Sequence, residues 1–435
     1  MKGNRYWAAV SWALATVTIP LVVISMLTPG AWACGKYRVI HRFTGDEGGD
    51  GMYPRTGLLF DAAGNLYGTT PYGGTWLGTA FRLAPNADGS WTENTLHNFE
   101  DNGDGINPIS NLISDTAGNL YGVTYRGVGS STSCDHGCGT VFMLTPNADG
   151  SWSHSVLYNF PGGHLKYPLA GMVFDASGNL YGTTHGTPGN VLGKPYGAVF
   201  MLQPSTGGVW NLTVLHYFKG TDGSNPYARL ALDPAGNLYG TTESGGAFGH
   251  GVVFKLAPSS DDSWKETVLH AFTGGDDGGG PESGVTIDSQ GNLFGVTGHG
   301  GAYKAGVAYQ LIPSSGGKWK ERIIHAFTRG KDGGVPVSDL IFDTDGNLYG
   351  TTVGGGYLEG SCAPDGCGMV FKLAPDESGH FRETALHRFR GGTGGSAPLY
   401  GSLIFGAAGH LYGTASNGGI GKCALGCGVV FEITP

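Results

Sequence analysis

The chain has 435 residues, a formal net charge of −9, and only 14% charged residues. This composition excludes nucleic acid as a partner, because a nucleic-acid surface needs clustered lysine and arginine side chains. It also excludes a disordered chain, because 20 tyrosines, 20 phenylalanines and 9 tryptophans supply enough apolar area for a core, and the 81 glycines follow no collagen-like period.

The N-terminal segment has the features of a signal peptide. Lys2 and Arg5 form a short positive region, an apolar stretch follows, and Ala31-Trp32-Ala33 ends it with the small residues of a cleavage site. We therefore predict a signal peptide over residues 1–33 and a mature chain over residues 34–435, exported to the periplasm or the extracellular medium. A membrane anchor is the alternative, since the apolar stretch is long enough to span a bilayer. No second apolar stretch follows, so no membrane span is expected after cleavage.

The next feature along the chain is the pentapeptide Gly64-Asn65-Leu66-Tyr67-Gly68, which recurs six more times. Successive copies lie 54, 60, 58, 55, 55 and 63 residues apart. A period of roughly 40–60 residues indicates a supersecondary unit that buries its apolar face against neighbouring units. The later copies begin at Gly118, Gly178, Gly236, Gly291, Gly346 and Gly409.

Each repeat has the pattern of four short antiparallel strands. In the first repeat, residues 58–61 and 66–70 form a hairpin, residues 79–83 form a third strand, and residues 91–99 form a fourth. Seven such units predict an all-β fold, a seven-bladed β-propeller of four-stranded antiparallel blades. The last repeat stops after its third strand, and residues 37–43 match the fourth. The N-terminal strand is therefore predicted to join the C-terminal blade and close the ring.

Six of the seven cysteines lie in three close pairs, each just before the third strand of its repeat. Close pairs in an exported protein favour local disulfides. Structural zinc is the alternative, but it usually takes four ligands, and each loop offers only two thiols. We therefore predict no metal site, and we expect a free thiol at Cys34, with lipidation as the alternative. The predicted disulfides are Cys134–Cys138, Cys362–Cys367 and Cys423–Cys427.

The repeat resembles that of the GloVer (Gloeobacter/Verrucomicrobia) tandem-repeat proteins. Their pattern of a GNLYGTT core, a Gly-Gly loop, a G-x-V-F-K-L strand and an L-H-x-F strand is present here over residues 236–242, 245–246, 251–256 and 269–272. The resemblance implies an exported bacterial repeat protein of the choice-of-anchor group, without an assigned activity. Members of that group often carry a C-terminal sorting anchor, whereas this sequence ends inside the last repeat.

Two sets of repeated polar residues are predicted to serve folding. Six histidines share one position in the fourth strand, and each is expected to hydrogen-bond within its own blade. The acidic glycine loop at residues 100–105 resembles the start of a calcium site, but residues 391–395 fill the same place without a carboxylate. The general preference of turns for aspartate and glycine explains these loops. We therefore predict no cofactor, and a calcium ion is the alternative. The six histidines are His41, His97, His216, His270, His325 and His387.

Residues that differ between repeats are the candidates for a site. The loops after the second strand and before the first strand lie on one face of a propeller, so exposed, unlike side chains there would surround the mouth of its channel. Such a set is suited to a polar extracellular ligand, either a glycan or a protein. The predicted ligand-binding residues are Tyr72, Tyr125, Arg126, His185, Arg229, Glu243, Glu282, His299 and Asp339.

Three alternatives to simple binding remain open. One is an extracellular carbohydrate-active enzyme, a hydrolase or a lyase, in which Glu243, His185 and Arg126 act as acid, base and anion-stabilising group. Another is a structural surface protein. The third is that these loops vary without any function, as surface loops often do.

Overall fold

The computed structural model describes residues 36–45, 49–127, 134, 136–187 and 196–435. Within these ranges the chain forms seven small antiparallel sheets in a ring, a seven-bladed β-propeller, and it contains no α-helix. The signal peptide predicted over residues 1–33, and Cys34, lie outside the described ranges. In the described part of the chain, no helix is long and apolar enough to cross a membrane.

The first four blades follow one another along the chain. Blade 1 consists of β2 (Leu59–Phe60), β3 (Leu66–Thr70), β4 (Thr79–Pro85) and β5 (Trp91–Asn98). Blade 2 consists of β6 (Ile106–Pro108), β7 (Ile113–Ser114), β8 (Leu120–Arg126), β9 (Thr140–Pro146) and β10 (Trp152–Asn159). Blade 3 consists of β11 (Val173–Phe174), β12 (Leu180–Thr184), β13 (Ala198–Pro204) and β14 (Trp210–Tyr217). Blade 4 consists of β15 (Ala231–Leu232), β16 (Leu238–Thr242), β17 (Val252–Pro258) and β18 (Trp264–Ala271).

The last three blades complete the ring. Blade 5 consists of β19 (Thr286–Ile287), β20 (Leu293–Thr297), β21 (Val307–Pro313) and β22 (Trp319–Ala326). Blade 6 consists of β23 (Gly334–Pro336), β24 (Ile341–Phe342), β25 (Leu348–Gly354), β26 (Met369–Pro375) and β27 (Phe381–Arg388). Blade 7 consists of β28 (Ile404–Phe405), β29 (Leu411–Ala415), β30 (Val429–Thr434) and the N-terminal β1 (Lys36–Arg42). Short 3-10 turns occur at Thr206–Gly208, Ser315–Gly317, Gly360–Cys362 and Gly392–Gly394.

The recurring glycine of the second strand is explained by an aromatic ring from the third strand. All five residues of β3 are buried, and Gly68 lies at its centre. A Cβ atom at Gly68 would lie 2.6 Å from Cζ of Phe81, which is too close for any side chain. The ring therefore packs directly on the backbone of β3, and the same glycine–aromatic pair forms in every blade.

The recurring aspartate fixes the hairpin between the first and second strands. In blade 1, Oδ1 of Asp61 accepts hydrogen bonds from the backbone N–H groups of Ala63 and Asn65, both at 2.9 Å. Its Oδ2 accepts from the Asn65 side chain at 2.7 Å and from the Tyr67 hydroxyl at 3.0 Å. These four bonds explain why aspartate, asparagine and tyrosine recur together.

Blade 7 lacks this aspartate and uses another carboxylate. Gly406 takes the place of the aspartate and His410 that of the asparagine. Glu432 on β30 instead accepts hydrogen bonds from Nδ1 of His410 at 2.6 Å and from the Tyr412 hydroxyl at 2.9 Å. Nε of Arg38 donates to the same carboxylate at 2.8 Å, so the N-terminal strand also takes part in this replacement.

The predicted closure of the ring is confirmed. β1 pairs antiparallel with β30, with Val39 opposite Phe431 and Arg42 opposite Val429. Just after β1, Phe43 is fully buried and packs edge-on against Phe81 of blade 1 at 5.2 Å. The N-terminal strand thus covers the edge that blade 7 would otherwise expose.

The three predicted cysteine pairs are at disulfide distance. Their Cα atoms lie 5.0 to 5.3 Å apart, and each pair precedes the third strand of its blade. Each disulfide therefore ties together a loop between the second and third strands. The pairs are those predicted, Cys134–Cys138, Cys362–Cys367 and Cys423–Cys427.

Five of the six recurring histidines contact the loops between blades, and the sixth contacts the N-terminal strand. Nε2 of five of them lies 2.9 to 3.5 Å from an aspartate in the loop that leads into the next blade, so their partners are not on the strands of their own blade. The ring of the sixth, His387, stacks on Tyr37 with centroids 3.7 Å apart. Asp104 of the acidic glycine loop at residues 100–105 is one of these partners, and its other oxygen accepts the backbone N–H of Glu100 at 3.1 Å. The histidine–aspartate pairs are His41–Asp50, His97–Asp104, His216–Asp222, His270–Asp277 and His325–Asp332.

Candidate functional site

A cleft of about 420 Å³ opens on the face of the propeller where the second strands of the blades end. Its walls come from blades 1 to 4, mostly from the residues at or just after the ends of β3, β8, β12 and β16. We call it the channel-mouth cleft. Its lining residues are Arg55, Pro71, Tyr72, Asn107, Ile109, Tyr125, Arg126, Leu169, His185, Tyr227 and Glu243.

A smaller cavity of about 80 Å³ continues the channel-mouth cleft inward. Arg55, Ile109, Leu169 and Tyr227 line both spaces. The smaller cavity is lined by residues of six different blades, which can meet only at the axis of the ring. The cleft is therefore the open end of the central channel.

His185 and Glu243 form the first polar pair of the cleft. Nε2 of His185 lies 3.5 Å from Oε2 of Glu243, and its ring meets that of Tyr227 edge-on at 5.8 Å. Asn225 fixes the loop after β12 by donating hydrogen bonds to the carbonyl oxygens of His185 at 3.0 Å and Thr187 at 2.8 Å. The imidazole is thereby held on the cleft wall and is only 5% exposed, whereas the sequence predicted an exposed loop residue.

Glu282 and Tyr400 form a second polar pair across the channel. The Tyr400 hydroxyl of blade 7 donates to Oε2 of Glu282 of blade 5 at 2.9 Å. Burial raises the pKa of Glu282, the charge of Glu243 adds to this shift, and the bond from Tyr400 opposes it. The ring of Tyr227 packs against that of Tyr400 at 4.9 Å, and burial raises the pKa of Tyr227 to about 12.

Two arginines give the cleft a local positive charge. Nε of Arg55 and Nε of Arg126 are buried, and neither has a hydrogen-bond partner among the described residues. The Arg126 guanidinium lies over the Tyr125 ring, 5.1 Å from its centroid. Against these two cations the cleft lining contains one carboxylate, that of Glu243. The cleft is thus locally cationic in a chain whose formal net charge is −9.

The nine predicted ligand-binding residues are distributed over three neighbouring positions. Tyr72, Tyr125, Arg126, His185 and Glu243 line the channel-mouth cleft. Arg229 and Asp339 line the smaller cavity, with Nε of Arg229 3.9 Å from Oδ2 of Asp339. Glu282 is paired with Tyr400, and exposed His299 lies near it on blade 5. Asp339 also accepts the backbone N–H of Gly284 at 2.7 Å, so it positions the neighbouring blade as well.

The nine predicted ligand-binding residues omit three residues of the site, Arg55, Tyr227 and Tyr400. The sequence does place Arg55 at the channel mouth, just before the first strand of its repeat, but Tyr227 and Tyr400 are not predicted there. Arg55 and Tyr227 directly follow the proline that precedes the first strand of each blade, and so does Glu282. The residue directly after this proline could have been identified from the sequence as part of the site, because the position places one side chain per blade at the channel. Tyr400 follows its proline by two residues, since blade 7 has one extra residue in this segment.

Comparison with known proteins identifies the repeat. The family model described as Gloeobacter/Verrucomicrobia repeat matches residues 130–363, more than half of the chain. No curated protein matches the sequence.

Solved structures share the propeller fold at low identity. An ulvan lyase of polysaccharide lyase family PL25, bound to a GlcA–Rha3S saccharide, is 13% identical, with 90% of this chain and 95% of that chain covered and a TM-score of 0.53. A gluconolactonase from Xanthomonas campestris is 12% identical, with 92% and 89% covered and a TM-score of 0.42. An oxidoreductase of the glucose dehydrogenase type from Thermus thermophilus is 14% identical, with 92% and 100% covered and a TM-score of 0.40. At these identities the likeness shows the fold alone.

Proposed function

The chain belongs to the Gloeobacter/Verrucomicrobia repeat family, and we propose that it is an exported protein that binds an anionic glycan in the channel-mouth cleft. The observation that carries this proposal is the pair of arginines, Arg55 and Arg126, which line the cleft together with only one carboxylate, that of Glu243. An anionic ligand in the cleft would offset this excess of positive charge.

The charge of the cleft selects the class of ligand. Guanidinium groups bind carboxylate and sulfate-type oxyanions through two parallel hydrogen bonds, which a neutral hydroxyl cannot reproduce. Because the lining contains two arginines, Arg55 and Arg126, and a single carboxylate, that of Glu243, an anionic group enters the cleft favourably. This favours saccharides that carry acidic groups over neutral ones.

The aromatic side chains support a glycan over a compact anion. Tyr72 is 42% exposed, so its ring offers an apolar face at the cleft mouth. Tyr125 in the same lining is partly exposed, and its ring packs against that of Tyr167 with centroids 4.8 Å apart. Tyrosine combines such a face with a polar hydroxyl, which suits a ligand with alternating apolar and hydroxylated surfaces. A volume of about 420 Å³ is large enough for a short saccharide segment and far larger than one inorganic anion.

Export is the remaining part of the proposal. The three disulfides favour an oxidising compartment, where such bonds persist. An extracellular or periplasmic protein would also meet glycans as ligands. The predicted signal peptide would provide the route.

Calorimetric titration of the purified protein tests the binding proposal. An oligosaccharide of uronic acids is compared with its carboxyl-reduced, neutral counterpart, and only the acidic form is expected to bind. Arg126→Gln should weaken binding at least tenfold, because a hydrogen bond to a charged group is worth about 1.5–3 kcal/mol. Arg388→Gln is the matched control, since Arg388 is exposed at the end of the outer strand of blade 6 and donates to the Lys331 carbonyl in the loop before that blade. Equal binding of the two sugars, or an unchanged affinity of Arg126→Gln, would refute the proposal.

A second candidate function is an acidic-polysaccharide hydrolase or lyase. It is favoured by two carboxyl groups near the same channel in unlike surroundings. Glu282 is half-buried with a raised pKa, while Glu243 is partly exposed beside His185. Such a contrast separates a proton donor from a proton acceptor. In this scheme Glu282 acts as the acid, Glu243 with His185 as the base, and Arg126 stabilises the anionic group of the substrate.

Product analysis distinguishes the enzyme from the binding protein. Incubation with acidic polysaccharides should release reducing ends, and a lyase should also give an unsaturated product with ultraviolet absorbance. Glu282→Gln should then abolish turnover while it preserves binding, because the amide cannot donate the proton. Binding of the polysaccharide without any product would support the binding function and contradict the enzyme.

A further inference from the structure

The outer edge of the ring contains a second cluster of chemically active side chains, far from the channel. His270 lies on β18, the outermost strand of blade 4, and Asp277 lies in the loop that follows. Glu321 reaches them from β22, the outermost strand of blade 5. Nε2 of His270 is 3.5 Å from Oδ2 of Asp277 and 3.5 Å from Oε1 of Glu321.

The two histidine–carboxylate distances match the separation of neighbouring ligand atoms around a tetrahedral metal ion. Zinc binds histidine nitrogen and carboxylate oxygen at roughly 2.0–2.2 Å, so two ligand atoms of a tetrahedral site lie about 3.3–3.6 Å apart. The ligand atoms of His270, Asp277 and Glu321 all lie within 4.8 Å of one another. Nε2 of His270 and Oε1 of Glu321 are buried, and neither has a hydrogen-bond partner in the described part of the chain.

The hydrogen bonds that hold Asp277 and the charge of the cluster also fit a divalent cation. Asp277 is oriented by the backbone N–H of Thr273 at 2.9 Å and by the Thr273 hydroxyl. Two carboxylates offset the charge of one divalent ion. Without a cation the two carboxylates repel each other.

The other clusters at this edge are less suited to a metal. His97, Asp104 and His154 are also close together, but the two imidazole rings stack in parallel, with centroids 4.3 Å apart and planes 5° apart. A ring nitrogen binds a metal in the plane of its own ring, so two stacked rings cannot bind the same ion. Between blades 3 and 4, His216 is 3.1 Å from Asp222, and Glu266 does not complete a compact group of three.

We propose that His270, Asp277 and Glu321 form a binding site for a zinc-type divalent transition metal ion that joins blade 4 to blade 5. Imidazole nitrogen combined with carboxylate oxygen favours zinc over calcium or magnesium, which prefer oxygen ligands alone. Solvent fills the fourth position. Because the ligands come from two blades, the ion stabilises the interface between them.

The test uses the purified full chain without a histidine tag, stripped with a chelator and titrated with Zn²⁺. We expect one ion per chain by elemental analysis and a higher melting temperature with Zn²⁺ than without it. Glu321→Gln should lower the Zn²⁺ affinity at least tenfold and remove the thermal shift. Glu266→Gln, the same change at the equivalent position between blades 3 and 4, should leave both unchanged. Asp277→Asn serves as a second variant if Glu321→Gln does not fold.

Each result bears on the proposal. Co²⁺ in place of Zn²⁺ should give the intense visible absorption of a tetrahedral site, and this band should be absent from Glu321→Gln. The proposal is overturned if the protein binds no Zn²⁺. It is equally overturned if Glu321→Gln binds Zn²⁺ as tightly as the wild type, or if Glu266→Gln loses as much affinity as Glu321→Gln.

Discussion

Replacing Tyr309 with phenylalanine is expected to stabilise the propeller. Tyr309 is fully buried, and its hydroxyl has no hydrogen-bond partner among the described residues. It packs over Gly295 of the second strand, where each of the other six blades has a phenylalanine ring over the equivalent glycine. The six phenylalanines are Phe81, Phe142, Phe200, Phe254, Phe371 and Phe431.

The magnitude follows from two opposing contributions. A buried hydroxyl without a partner costs about 1–3 kcal/mol, and this cost disappears in the variant. The loss of packing is small, because the Tyr309 ring sits over its glycine as a phenylalanine ring does in other blades. A Cβ atom at Gly295 would lie 2.6 Å from Cζ of Tyr309, and a Cβ atom at Gly240 would lie 2.6 Å from Cζ of Phe254. Only the contacts of one oxygen are lost, at about 0.1–0.2 kcal/mol each. The net gain is therefore about 1–2 kcal/mol.

Urea denaturation followed by tryptophan fluorescence measures this gain. The midpoint of Tyr309→Phe should rise while the slope of the transition stays the same. Burial raises the pKa of Tyr309, so the hydroxyl stays protonated and the gain should be the same at pH 6 and pH 8. The reverse change, Phe254→Tyr in blade 4, places a hydroxyl in the same surroundings and should be destabilising.

A lower midpoint for Tyr309→Phe would refute the reasoning. It would mean that the hydroxyl makes a favourable hydrogen bond, most simply to a buried water. An unchanged urea midpoint for Phe254→Tyr would also refute the reasoning, because the core of blade 4 would then accept a hydroxyl without a loss of stability.

Three further predictions concern the closure of the ring, a buried charge and the cysteines. Deletion of residues 36–43 removes β1 and exposes β30 as an edge, so the protein should aggregate or lose its cooperative melt, and an unchanged melting curve would contradict closure. Glu432→Gln should cost roughly 2 kcal/mol at neutral pH. Burial alone would raise the pKa of Glu432, but bonds from His410, Tyr412 and Arg38 outweigh it and lower the pKa. The contribution of this carboxylate is therefore present above its unfolded pKa and lost as the pH falls through the folded pKa, so wild-type and variant stabilities should converge in acid. Non-reducing peptide mapping should find the three close disulfides and a free Cys34. Each disulfide should add about 2 kcal/mol to the free energy of unfolding, because the loop that it closes is short. Any cross-link to Cys34 would contradict this pairing.

The fold was predictable because its local interactions repeat with the sequence. Asp61 and Asn65 complete a hairpin by contacts within seven residues. Gly68 packs against the ring of Phe81 on the adjacent strand. Interactions of this kind need no knowledge of the rest of the ring. Even the closure by β1 could be predicted, because its residues match the fourth strand of the other repeats.

The candidate site was only partly predictable, because its contacts cross the channel. Glu282 and Tyr400 are 118 residues apart in sequence and meet only when the ring has closed. His185 was placed on the correct face, but it is buried by Asn225 and Tyr227 rather than exposed. Its replacement with alanine therefore perturbs packing as well as binding, so Arg126 is the sharper test of the site.

A departure from the repeat is not by itself a sign of function. Gly406 and His410 depart from the hairpin pattern, yet Glu432 restores the lost hydrogen bonds, so the change remains within the framework. Tyr309 departs without compensation, and its effect is confined to the core of blade 5. At the channel mouth, departures from several blades line one cleft, and the two arginine Nε groups there are left without partners in the described chain. If these residues served only the folding of each blade, the same side chain would be expected at the axis in every blade. The side chains at the axis instead differ in charge from blade to blade, which favours a ligand without sevenfold symmetry.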